Sequence, residues 1–167
     1  MKLPDGNVVD ILSTVIAEIL EWVQDEPNKP EGGGYIVGYQ HNRTGNISLE
    51  EASHPYPMDI RTVVHFDIKD PRHNVFLKKA KRRKSYYMGV WHTHPQKIPT
   101  PSSIDWEDWN ETMRMDTTGS KYIFFIIVGT EEVRVWAGDS ETKRIDELFE
   151  CEKNKAGLYT KSKEEEK

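Results

Sequence analysis

The stretch GVWHTHPQKIPTPSSIDWED, Gly89 to Asp108, sets His92 and His94 one residue apart, then a proline-rich segment, then Ser102 and Asp105. Alternate side chains of a strand project from one face, so the two imidazoles would stand side by side while Thr93 points away. A helix entered after Pro101 would carry Asp105 about one turn in, where its carboxylate can return to the strand end. Two nitrogens and a carboxylate oxygen, with the fourth position left to water, make up a catalytic zinc site; a structural site is normally closed by four protein ligands. Zinc would draw the pKa of that water from about 15.7 to roughly 7, and hydrolysis would then need a group that moves the proton. Glu31 is the candidate, because it heads EGGGYIVGY, whose glycines let backbone segments approach closely at the start of a strand. Ser102 could donate a hydrogen bond to the oxyanion that develops on an attacked carbonyl. Ser102 is equally a candidate helix N-cap with Asp105 at N3, and the two roles can coexist.

These residues need a strand, a turn and a helix to hold them, and the hydrophobic pattern supplies candidates. Val8, Leu12, Val15, Ile16, Ile19 and Val23 recur at three- and four-residue intervals and predict a helix over Val8 to Gln24. YIVGYQ and Ile47 to Ala52 read as strands joined by the turn HNRTGN, and TVVHFDI as a third strand after the loop SHPYPMD. PRHNVFLKKAKRRKS predicts a helix with Pro71 near its first turn. YYMGVWHTH predicts a central strand, and Ser102 to Met115 a helix capped by Ser102 or Thr100. KYIFFIIVGTEEVRVWAG predicts a hairpin. Trp91 is expected to pack under the site, and Trp106, Trp109 and Met113 to be core residues. Beyond Gly138 the pattern weakens. We expect residues 1–150 to form a single domain and the charged tail 151–167 to be disordered. The order of elements indicates a mixed α/β fold, a sheet flanked by helices.

Bulk properties narrow the function classes. A chain of 167 residues suits a single core. A net charge of −5 argues against a dedicated nucleic-acid binder and leaves a protein partner or a small substrate. The single cysteine, Cys151, excludes a disulfide framework and a Cys-rich zinc knuckle, which suits a reducing cytoplasm. Pro4, Asp5, Asp10, Glu18 and Glu21 interrupt any signal-peptide core, and YIFFIIVG is too short to span a bilayer, so a cytoplasmic protein is expected. KKAKRRK, Lys78 to Lys84, carries six basic residues in seven. It reads either as a solvated helix face or as a docking patch for an acidic partner or nucleic acid.

The pattern HTHP, six intervening residues, then Ser102-x-x-Asp105 resembles the HxHP(x6)SxxD signature of the JAMM zinc metalloproteases, also called the JAB or MPN+ family. EGGGYIVG is similar to that family's upstream Glu-x-x-Gly-x-x-x-Gly. The resemblance implies a single-domain MPN/JAB fold with a cytidine-deaminase-like mixed sheet. It also implies one Zn2+ per chain on His92, His94 and Asp105, with Glu31 as general acid/base and Ser102 as oxyanion donor. Within the family the chain looks most like the stand-alone bacterial JAB peptidases of CBASS anti-phage operons. Such an enzyme would be an isopeptidase cutting after the extended C-terminal tail of a conjugated protein, ubiquitin-like or a cGAS-like nucleotidyltransferase. Two alternatives stand beside it. A non-catalytic MPN-type scaffold would lack one or more ligands that this chain has. A zinc hydrolase of small molecules, such as a nucleobase deaminase, would need HxE and PCxxC, which His94 and the single cysteine oppose.

Overall fold

YIFFIIV is apolar at every position, so it can be a strand only where both faces are covered. In a computed structural model of the chain it is the strand Tyr122–Val128, buried at every residue. The structure describes residues 1–149 and the backbone of 151–153 and 159–161. In chain order the elements are β1 (Val9–Ile11), α1 (Ser13–Leu20), β2 (Gly33–Gln40), β3 (Ile47–Ala52), β4 (Ile60–Thr62), β5 (His65–Asp67) and α2 (Arg72–Arg82). They continue with β6 (Tyr86–Thr93), α3 (Ser103–Met115), β7 (Tyr122–Val128), β8 (Val133–Asp139), β9 (Ile145–Leu148), β10 (Cys151–Lys153) and β11 (Tyr159–Lys161).

Seven strands form one mixed sheet in the order β1-β3-β2-β6-β7-β8-β9. Parallel neighbours need a crossover, and α3 provides the one between β6 and β7, which pair in register from Gly89 with Phe124 to Thr93 with Val128. This βαβ unit brings the end of β6 and the start of α3 together, at the carboxyl ends of two parallel strands where α/β sheets characteristically bind ligands. Two apolar layers cover the sheet. Val15 and Ile19 of α1 join Ile36, Leu49, Trp91 and Phe124 in the larger core. On the other side Trp109 and Met113 of α3 pack with Phe125, Ile127 and Trp136, the Trp109 ring stacking on Phe125 with centroids 4.8 Å apart. Each such side chain contributes about 1.5–3 kcal/mol when fully buried, so β7 and its two coats hold the frame of the site. Trp106, expected in the same core as Trp109, is instead 37% exposed, its ring edge-on to Trp109 at the rim.

The structure departs from sequence expectation at three elements. The helix predicted over Val8 to Gln24 is confined to Ser13–Leu20, because Val9–Ile11 pairs parallel with Ile47–Leu49 and Leu12 N–H donates to the Leu49 carbonyl. Its apolar spacing suited a helix, but β-branched Val9 and Ile11 fit the pleated edge beside β3. TVVHFDI is a turn and one arm of a small hairpin, β4–β5, outside the main sheet, with Val64 in the turn 76% exposed. Past Gly138, β9 completes the sheet against β8 with Val135 opposite Leu148, a pairing the weak pattern there did not announce. Within the segment expected to be a disordered tail, β10 and β11 pair antiparallel, Cys151 with Lys161; residues 154–158 and 162–167 lie outside the described residues. Among the described residues no helix is long and apolar enough to cross a membrane.

Candidate metal centre

Three segments converge at the end of β6. His92 is its penultimate residue, and His94 follows one residue beyond its end, where its N–H still donates to the Val128 carbonyl at 2.9 Å. Asp105 sits in the first turn of α3. Nε2 of His92 and Nε2 of His94 are 3.1 Å apart. Asp105 reaches both, Oδ1 at 3.2 Å from His92 Nε2 and Oδ2 at 3.1 Å from His94 Nε2. One ligand atom from each residue fits within 4.8 Å of the others, so the three can close on a single cation.

Two local devices hold the donors in that arrangement. The first is a capping box at the start of α3: Asp105 N–H donates to Ser102 Oγ at 3.1 Å, and Ser102 N–H donates to Asp105 Oδ2 at 2.8 Å. The hydrogen bonds that start the helix therefore also fix the rotamer of its carboxylate. The second device, Gln96, is absent from the sequence reading. Thr100 N–H donates to Gln96 Oε1 at 2.9 Å, and Gln96 Nε2 donates to Thr100 Oγ1 at 3.3 Å, which sets the orientation of the amide. Gln96 Oε1 then lies 3.1 Å from His94 Nδ1, so that nitrogen carries the proton and donates to it. With the proton fixed on Nδ1 in this way, release of the Nε2 proton would leave that nitrogen's lone pair facing the site, as a metal ligand must. Gln96→Leu is expected to lower Zn2+ affinity about 10–100-fold, read by chelator competition, with little change in melting temperature.

Glu31 faces this group from the start of β2, its Oε1 3.8 Å from His94 Nε2. Its backbone is anchored on both sides: its N–H donates to the Thr62 carbonyl at 2.8 Å, and its carbonyl accepts from Arg61 Nε at 2.7 Å, both on β4. Thr93, the residue between the histidines, points away from them as the strand period requires. Its hydroxyl accepts from Gly32 N–H at 2.9 Å and donates to Gln24 Oε1 at 2.8 Å, so the same strand that presents the imidazoles ties down the neighbour of Glu31. Glycine is required beside it, since a Cβ on Gly34 would run into the Ser53 carbonyl. Trp91 lies buried beneath, its Nε1 donating to that carbonyl at 2.8 Å.

The electrostatics follow from burial. Glu31 is only 3% exposed, and burial pushes its carboxyl up to about 8, the His94 imidazole opposing and Asp105 reinforcing the rise. Burial acts on Asp105 in the same direction, but the His92 and His94 imidazoles and the Ser102 N–H together hold it far below the ordinary carboxylate range. His94 is discouraged from charging by burial, yet its hydrogen bonds to Asp105 and Gln96 raise it above its ordinary value. In the metal-free protein two carboxyls in one cleft are thus driven apart, Glu31 toward its protonated form and Asp105 toward its ionised one. A cleft of about 180 Å³, bordered by Glu31, Phe66, His92 and Asp105, opens onto them.

The donor set, its spacing and the tautomer imposed by Gln96 suit a divalent metal that accepts nitrogen and oxygen ligands. Comparison with known proteins agrees with that chemistry. The family model for prokaryotic homologs of the JAB domain matches residues 12–139. The chain belongs to this family. Over 141 residues, 83% of this chain and 85% of the relative, the JAB chain is 28% identical to a Vibrio cholerae protein named CD-NTase/cGAS isopeptidase. An Escherichia coli protein of the same name is 26% identical over 147 residues, 86% of this chain and 88% of that one. A solution structure of a Desulfitobacterium hafniense protein superposes with a TM-score of 0.51, covering 84% of this chain and 89% of its own, at 19% identity, which shows a shared fold alone.

Of the two roles the sequence left open for Ser102, the structure shows the helix N-cap. In this JAB domain its Oγ already accepts from Asp105 N–H, which leaves the hydroxyl proton free to donate elsewhere. His41, His54, His65 and His73 lie outside this ligand group. His73 is fully buried between Ser53 Oγ at 2.8 Å and Asp59 Oδ2 at 2.6 Å, where it braces the loop that leads to β4.

Proposed function

We propose that this JAB domain is a zinc-dependent isopeptidase that hydrolyses the amide bond after the C-terminal tail of a conjugated protein. On the precedent of its named relatives, the conjugate is one formed by a cGAS-like nucleotidyltransferase, and the reaction reverses that conjugation in anti-phage defence. The observation that carries this reading is the juxtaposition of a complete two-histidine, one-aspartate donor set with the buried carboxyl of Glu31, 3.8 Å from His94 Nε2. A scaffold has no use for either.

His92, His94 and Asp105 would hold Zn2+, which when bound supplies a Lewis acid for the scissile carbonyl and acidifies the attacking water. Glu31 is placed to take a proton from the attacking water and to pass it to the departing amine. Ser102 Oγ–H donates to the oxygen on which charge develops as the carbonyl becomes tetrahedral. Asp105 remains ionised throughout, pinned by Ser102 N–H, and Gln96 keeps His94 in its ligating tautomer. The extended tail lies along the cleft beside β4–β5, the hairpin that carries the backbone of Glu31.

Replacing Ser102 separates its two roles. Ser102→Ala removes the cap and is expected to cost about 1 kcal/mol of stability. It is also expected to lower kcat about 10²–10³-fold, whereas Ser102→Asn, which can still cap, recovers stability without recovering the rate. Thermal melts and single-turnover kinetics distinguish these outcomes.

The function itself is tested on a nucleotidyltransferase joined through its C-terminal carboxyl to an acceptor amine. The zinc-loaded protein is expected to release the two partners, chelation to stop the release, and added Zn2+ to restore it. Cleavage that proceeds undiminished in chelator would overturn the reading.

A further inference from the structure

A second site is built at the opposite end of the sheet. β6 starts at Tyr86 and ends at the histidines, so its two ends lie roughly 20 Å apart. Around its start, together with the end of β2 and the start of β7, is a cavity of about 510 Å³ walled by Tyr39, Tyr86, Tyr87 and Tyr122. Lys81 and Lys121 complete its border, with the hydroxyls of Thr118 and Ser120, and among the described residues no carboxylate lines it. Lys121 is neutralised by Asp5 at 2.8 Å; Lys81 has no such partner among the described residues.

Lys81 belongs to the basic run that the proposed chemistry leaves unused. Lys78, Lys79, Lys81, Arg82 and Lys84 are all exposed at the end of α2 and in the turn beyond it, and among the described residues the ion pair in this run is that of Arg83 with Glu51, at 3.0 Å. Cations in the last turn complement the helix dipole by about 0.3–1 kcal/mol each, but Lys84 lies past the helix in a left-handed turn, with φ 60°. In a chain of net charge −5, this is a strong local concentration of unpaired positive charge.

We infer that the cavity binds a nucleoside phosphate, the base lying against the accessible rings of Tyr39 and Tyr86 and the phosphate reaching Lys81 and the cations behind it. The volume falls within the range of small-molecule sites. Aromatic rings offer a base about 1–3 kcal/mol of stacking whatever its identity, and the lysines supply the anion contact. An acidic peptide would satisfy the lysines while leaving the tyrosine wall without a planar partner.

The test is calorimetric titration of the zinc-loaded protein with AMP and GMP, with adenosine, inorganic phosphate and an octaglutamate peptide as separate arms. AMP or GMP is expected to bind at least about tenfold more tightly than adenosine or phosphate alone, and to weaken as salt is raised. Lys81→Ala and Tyr86→Ala are expected to weaken the nucleotide at least about fivefold each while leaving Zn2+ affinity unchanged. Tyr86 is 45% exposed, so its removal spares the core. The inference is overturned if neither nucleotide binds at millimolar concentration, if phosphate matches the nucleotides, if both variants bind as the parent does, or if the peptide binds and the nucleotides do not. Because Zn2+ affinity is read alongside, failure of this site is distinguishable from failure of the metal centre.

Discussion

Glu31→Gln is expected to lower the rate of amide cleavage about 10²–10⁴-fold while the protein still takes up one Zn2+. Glutamine preserves the shape of the side chain, and the three proposed ligands are elsewhere, so the fold and the metal should both survive. The same substitution carries a second, opposite signature in the metal-free protein. The folded-state pKa of Glu31, about 8, lies above its ordinary 4.5. A carboxyl raised in this way contributes stability that is fully present below the unfolded value and is lost as pH rises through the folded one. The metal-free parent should therefore weaken between about pH 4.5 and 8, while the Gln variant is spared. At pH 8–9 the variant is expected to be more stable by about 1–3 kcal/mol, a gap that closes as the pH is lowered. Paired thermal melts across that range check the sign. A bound cation would lower the pKa of Glu31, so the comparison belongs to the metal-free state.

Asp105→Ala is expected to abolish stoichiometric zinc binding and with it cleavage. The parent should retain close to one Zn2+ per chain by native mass spectrometry, and at a thousandfold excess over Kd zinc should stabilise it by about 4 kcal/mol. The variant should gain no such stabilisation. Asp105 also closes the capping box with Ser102. Asp105→Asn keeps an oxygen that can accept from Ser102 N–H but gives up the charge, so both variants should lose the metal. Ser102 Oγ still caps the backbone N–H of residue 105 in both, and only the alanine should lose the reciprocal bond from Ser102 N–H as well, melting below the asparagine variant by about 1 kcal/mol. Equal zinc content in parent and Asn variant would remove Asp105 from the donor set.

The parts of this site that were legible in the sequence are those set by local geometry. His92 and His94 share a strand face because the strand period is two, and Asp105 returns to them because a helix starts with Ser102 as its cap. Glu31 could be placed opposite them because glycines beside it permit close approach. Gln96 was not legible, since its role depends on how the proline loop folds back on His94. Nor were Thr93 and Gln24, whose hydrogen bond joins residues far apart in the chain. The same division holds for the fold. β7 and the β7–β8 hairpin announce themselves by composition, whereas β1 and β9 are strands chiefly because β3 and β8 offer them edges. Residues 9–11 satisfy a helical spacing as well as a strand, and tertiary pairing decides between them.

The most direct measurement is hydrolysis of the conjugate by the zinc-loaded protein in water enriched in ¹⁸O, followed by intact-mass analysis of both products. We predict that the released nucleotidyltransferase ends in a complete tail whose terminal carboxyl carries one ¹⁸O, and that the acceptor emerges with a free, unlabelled amine. Label at any other bond, or no zinc-dependent product, would contradict the assignment of this site to tail-directed amide hydrolysis.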